Sequence, residues 1–248
     1  MNREGETNMY DKDEVLRQVQ AAIGHIPRIE QQRGSLALSF ADGTVTVSGE
    51  VSNIAAKKMA LKAAAGVHGV NAVTDRLRVD AGPPTGDGAT RDSVCRRLLR
   101  DTNFRNCGIA VLAKGRREVL RDGGKDASGA IEVAVSDGVV SLAGQVISLS
   151  HKRLAGALAW WAGGCRDVVN LLEVAPAEED NDDEIVDALQ LVLEADPYVN
   201  PDRIGIASRD RVVTMEGVVS SAGERLRAEN DAWCLFAVDS VINRLEVR

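Results

Sequence analysis

Aromatic residues make up only 3% of this 248-residue chain. Its cores must therefore be built from Val, Leu, Ile and Ala, and a 44% apolar content supplies them at an ordinary globular level. No stretch approaches the roughly 20 consecutive apolar residues that a membrane-crossing helix requires, so no transmembrane segment is expected. The polar start MNREGETNMYDKDEV has no apolar run and no small-residue cleavage site, so no secretory signal is expected and a cytoplasmic location follows. An excess of positive charge is also missing. A net charge of −7 and a pI near 5.1 exclude a general nucleic-acid binder, because phosphate repels such a surface. The four cysteines, Cys95, Cys107, Cys165 and Cys234, form no CxxC pair and are expected to be reduced and partly buried. Only three histidines occur, His25, His68 and His151, with no metal-ligand spacing and no accompanying serine or cysteine motif. Neither a GxxxxGK[ST] loop nor a strand-linked GxGxxG is present. No catalytic residue, metal or cofactor is expected. The run EEDNDDE at 178–184 lacks the central glycine and final glutamate of an EF-hand and reads as an acidic linker entering a helix.

What the chain does have is a phrase written three times: DGTVTVSGEV at 42–51, DGVVSLAGQV at 137–146 and DRVVTMEGVV at 210–219. Aligned on Asp42, Asp137 and Asp210, the next 37 residues match without a gap. Each copy closes on a strand-like segment, VTDRLRV, VVNLLEV or VINRLEV. Three homologous units are the firmest inference. Before each phrase apolar residues alternate, as at Leu36, Leu38 and Phe40 or Ile131, Val133 and Val135, which marks a half-buried strand. Asp-Gly then suits a type I′ hairpin turn, with Val45 and Val47, Val140 and Leu142, or Val213 and Met215 on the returning arm. The third copy has Arg211 in place of the turn glycine, and its turn is expected to be strained or of another type. Asn53, Ser148 and Ser221 follow as helix N-caps, with Glu224 completing a possible capping box. Alanines one turn apart, such as Ala60 and Ala64, let each following helix approach a small sheet. Asp75, Asn170 and Asn243 fall in the apolar phase of the closing strand and are read as structural groups that need backbone partners. A helix also precedes each hairpin, over Asp13–Ile23, Asp92–Asp101 and Asp183–Glu194. The fold class is α+β: three tandem α-β-β-α-β units of about 65–70 residues, each a small three-stranded sheet with two helices on one face.

This element order, the hairpin phrase and closing segments such as GGCRDVVNLLEV and HGVNAVTDRLRV resemble the BON domain, the bacterial osmotic-stress and nodulation module. The resemblance implies a non-enzymatic binding module associated with phospholipid surfaces and with osmotic or envelope stress. With no export signal, such a module would lie peripherally at the inner leaflet. A cytoplasmic protein-interaction scaffold is the alternative, and a similar cytoplasmic BON-containing type suggests potassium or another ion as a third.

The units are expected at 13–80, 91–175 and 183–248, after a tail at 1–12 and separated by linkers at 81–90 and 176–182. The middle unit carries an insertion near 108–129, expected as a flexible or hairpin-like excursion. Charge is uneven: residues 13–79 carry +2, 91–174 carry +4 and 178–248 carry −10. Either the acidic unit docks on the basic middle one, or the asymmetry serves solubility. Trp160 and Trp161 end a helix whose start carries Lys152 and Arg153, and these four are the candidate lipid or partner contacts. Trp233 aligns with Trp160, which makes Trp160 the packed tryptophan and Trp161 the exposed one. The bland reading of both is packing against a neighbouring repeat.

Overall fold

A computed structural model describes residues 11–26, 29, 36–83 and 85–248. Most of the expected N-terminal tail, up to residue 10, lies outside the described residues. The chain divides into two compact units at Asp80/Ala81.

The first unit contains α1 (Lys12–Gly24), β1 (Leu36–Ala41), β2 (Thr44–Val51), α2 (Ile54–Ala65) and β3 (Ala72–Val79), in the sheet order β1-β2-β3. β1 and β2 are antiparallel, whereas β2 and β3 run parallel around α2. The apolar side of the sheet, Val45, Val47, Val51 and Leu77, packs with Val15, Val19 and Ile23 of α1 and with Ala56, Ala60 and Ala64 of α2. The alanines do what their size allows, since a helix with no bulk on its inner face can lie close to a narrow sheet.

The second unit holds the other two repeats. α3 (Asp87–Arg100) leads through a 3₁₀ turn at Thr102–Phe104 to β4 (Cys107–Ala113), β5 (Arg116–Arg121), β6 (Gly129–Ser136), β7 (Val139–Val146), α4 (Leu149–Trp160) and β8 (Asp167–Val174). α5 (Asp182–Ala195), β9 (Ile204–Arg209), β10 (Val212–Val219), α6 (Ala222–Cys234) and β11 (Ser240–Val247) follow. The insertion in the middle repeat is the β4–β5 hairpin. It does not stand apart: β4 pairs parallel to β6 and widens that sheet to five strands, β5-β4-β6-β7-β8, where the other two sheets have three. Both repeats contribute to one continuous core, which runs from Val94 and Leu142 through Ile185 and Leu189 to Met215 and Leu245.

The repeated letters have local causes. Asn53, Ser148 and Ser221 each cap a helix, accepting from the N–H of Ala56, His151 and Glu224. Glu224 reaches back past Ser221 to the N–H of Ser220 at 2.8 Å, one residue earlier than a capping box would place it. The glycine in each hairpin phrase sits where two strands touch. Gly144 has φ 119°, and a Cβ there would lie 2.1 Å from the carbonyl oxygen of Ala130. Gly217 has φ 134° and would meet the carbonyl of Arg203 at 2.0 Å. The third turn is the strained one of the two expected alternatives: Asp210 and Arg211 take φ 51° and 62°, the same left-handed pair as Asp137 and Gly138 at 52° and 74°, with arginine in the glycine's conformation. An acid at the start of the preceding helix holds each of these turns. Asp87 accepts from the N–H groups of Asp137 and Gly138 at 3.0 and 2.9 Å, and Asp182 accepts from those of Asp210 and Arg211 at 2.8 and 3.0 Å.

The polar residues of the closing strands are structural. Asn170 Nδ2 donates to the Lys152 carbonyl at 2.8 Å and its Oδ1 accepts from Leu172 N–H at 3.3 Å. Asn243 repeats the arrangement with the Arg225 carbonyl and Leu245 N–H, both at 3.1 Å. In the first unit Asp75 accepts from Leu77 N–H and pairs with the Lys57 ammonium, each at 2.9 Å. Each ties its strand to the helix that precedes it, and none is fully buried, since Asn170 and Asn243 are half-buried and Asp75 is exposed.

Candidate binding site

The basic and aromatic residues singled out in the sequence lie at the two ends of α4, where Lys152, Arg153 and Trp161 each touch the third repeat or the linker before it. α4 is covered on two sides, by its own sheet and by α5, which is why every residue from Arg153 to Ala159 is buried. Arg153 is 0% exposed. Its guanidinium reaches Asp180 of the acidic linker at 2.5 Å and the Glu184 carbonyl at 3.5 Å, and it lies 4.5 Å from the centre of the Phe236 ring. Lys152 approaches the same ring at 5.4 Å. Glu178, also in the linker, accepts from Leu149 N–H at 2.7 Å. The linker thus binds the start of α4, and the acidic third repeat docks on the basic middle one.

Trp161 is half-buried rather than exposed, because its indole N–H donates to Asp231 of α6 at 3.0 Å. Trp160 packs beside it against the shared core, and Trp233 is 4% exposed. This burial withdraws Arg153 from any lipid surface and makes Trp161 and Lys152 contacts between repeats. The signal for this was in the alignment, where a tryptophan recurs at Trp233, and in the opposite charges of the two repeats.

Beneath Trp161 lies a pair of buried acids. Asp196 and Asp231 are 1% and 2% exposed. Asp196 pairs with Arg227 and accepts from Tyr198 N–H. Burial, and next the Asp196 carboxylate, push the Asp231 carboxyl up to about 8. Two carboxylate oxygens attract only when one carries a proton, and the Asp231 Oδ2 is buried without another donor. On the other side of Trp161 the Arg97 guanidinium stands 5.9 Å from the ring centre. Here opens a cleft of about 460 Å³, lined by Arg96, Arg97, Arg100, Ser93, Trp161 and Ala195 among others. It was not foreseen from sequence, because its walls come from helices α3, α4 and α5.

Burial raises the Cys95 thiol to about 11 and raises that of Cys107 too. None of the four cysteines is in a disulfide, and three are buried. Burial lowers His151, whose Nδ1 is held by Ser148 Oγ at 2.7 Å.

With three α-β-β-α-β repeats in place, the sequence profile of the BON domain matches residues 11–81, 110–176 and 181–248. The chain belongs to the BON domain family. The second match begins inside β4 and leaves out α3, yet α3 buries Val94 and Leu98 in the core of that BON repeat. Among solved structures, the C-terminal domain of CdsD, the structural protein of the Type III secretion system of Chlamydia trachomatis, aligns at 12% identity over 96% of this chain and 100% of that one, with a TM-score of 0.24. A second CdsD structure aligns at 12% identity over 95% of this chain and 92% of that one, with the same score. No curated protein matches the chain. Among the described residues no helix is long and apolar enough to cross a membrane.

Proposed function

We propose that this BON protein is a non-enzymatic binding module that docks on anionic phospholipid through the β4–β5 hairpin. One observation carries the reading: the hairpin exposes Leu112, Val119 and Leu120 at 38%, 53% and 40% beside the cations Lys114 and Arg116. Neither cation forms an ion pair among the described residues, whereas Arg117 is taken up by Glu132 at 2.9 Å. Apolar side chains among lysine and arginine suit a lipid interface, where the first enter the headgroup region and the second meet its charge. The acidic total of the chain opposes this only weakly, because charges beyond about 8 Å are screened at physiological salt. The family resemblance to proteins of phospholipid surfaces and envelope stress supports the same reading.

Co-sedimentation of the full chain with phosphatidylglycerol–phosphatidylcholine vesicles tests it. Binding is expected at low salt, weak in high salt and absent from pure phosphatidylcholine. Changing Leu112, Val119 and Leu120 together to Gln, with melting unchanged, is expected to cut it at least fivefold. No sedimentation at low salt, or full binding by the variant, overturns the reading. Among the described residues the outer edge of β5 is unpaired, which favours strand addition by a protein partner as the second reading. A pull-down that retains a partner through this edge, with no vesicle binding, selects it.

A further inference from the structure

We propose that the cleft between the second and third repeats is a site for a small soluble phosphate-bearing anion, with Arg96, Arg97 and Arg100 as its grip. The three guanidiniums lie within one turn of α3, where like charges repel. Among the described residues none of them forms an ion pair, although residues 178–248 carry −10 and could have supplied one. Arg97 Nε is buried and meets no acceptor among the described residues. A buried donor left unmet costs free energy, and a ligand oxygen would recover it.

The surroundings fit an organic phosphate better than a bare ion. At about 460 Å³ the space falls in the range of small-molecule sites. Leu158, Trp161 and Ala195 give it an apolar wall, and the Ser93 and Thr102 hydroxyls add polar groups. A phosphate offers more charged acceptor oxygens than a carboxylate and can engage several guanidinium forks at once. The Asp101 carboxylate also lines the cleft, but its Oδ1 is occupied by Asn103 N–H and Nδ2 at 2.8 and 3.0 Å. The wall is set before any ligand arrives, because Asp231 holds Trp161 and Trp161 faces Arg97. Ala195 and Asp231 come from the third repeat, so neither repeat alone completes the site.

Calorimetric titration of the full chain with sodium pyrophosphate, with ADP and with phosphatidylglycerol vesicles tests this. The Arg96→Gln/Arg100→Gln variant changes two exposed side chains, and a melting curve checks its fold. Both soluble probes are expected to bind the wild type and to lose at least tenfold in affinity with that variant. Lys114→Gln/Arg116→Gln on the hairpin is expected to leave them unchanged and to weaken vesicle binding, which separates this site from the lipid reading. Absence of binding by both soluble probes overturns the proposal. So does equal affinity in the arginine variant, or an effect of Arg96 and Arg100 seen with vesicles alone.

Discussion

At the scale of single residues, Arg211 shows how a local rule yields to a long-range contact. A non-glycine residue in the left-handed region costs roughly 1–2 kcal/mol, and on that ground the third turn should be strained or of another type. It keeps the type of the other two and carries the strain, because Asp182 accepts from both N–H groups of the turn and from Ser208 Oγ at 2.5 Å. These bonds hold the Asp182 carboxyl below the usual carboxylate range, with Ser208 the main cause. Arg211→Gly keeps those bonds and removes the strain, so it should stabilise the chain by about 1 kcal/mol in urea melts. A loss of stability would show that the arginine side chain contributes more than its backbone costs. The turn, the caps and the strand asparagines were legible because each acts within a few residues of itself. Asp87 and Asp182 were not, since they hold turns 50 and 28 residues away.

At the scale of elements, α4 explains why Trp161 is half-buried and packs on a neighbouring repeat. Adjacent tryptophans at a helix end are hard to bury in one small unit, so one of them was expected at the surface. Packing against a neighbouring repeat offers them a second wall: α4 lies between its sheet and α5, and the acidic linker closes over its first turn. The opposite charges of the two repeats were visible in the sequence, but which acid meets which base depends on how they fold together. Asp180→Ala would leave the Arg153 guanidinium buried without its carboxylate and should cost about 2–4 kcal/mol. Arg153→Met removes the charge along with its desolvation and should cost less than Asp180→Ala, because packing on Phe236 survives. Denaturant midpoints of the two variants decide. A larger loss for Arg153→Met would mean that the ion pair itself outweighs the desolvation of its arginine.

At the scale of the whole molecule, the second and third repeats form one body, and the Asp196–Asp231 pair should make its stability depend on pH. The groups that face Asp231 come from three elements: Trp161 at the end of α4, Asp196 just after α5, and Arg227 on α6, which favours its ionised form. Arg97 on α3 stands beyond Trp161. Unfolded, Asp231 loses its proton near the ordinary 3.8, and folded it keeps the proton up to about 8. Between those values the folded chain binds the extra proton. The stabilisation is therefore complete at acid pH, declines as pH rises, and is lost above about 8. Asp231→Asn has nothing to titrate, can still accept from the Trp161 indole, and can donate to Asp196 with its amide. Its stability relative to wild type should therefore rise with pH, by up to about 1.4 kcal/mol per pH unit. Urea melts of both proteins at pH 5, 6, 7 and 8 measure that difference. Parallel stability curves would mean that Asp231 is already ionised at pH 5, and that Trp161 rests against a charged carboxylate held in place by Arg227.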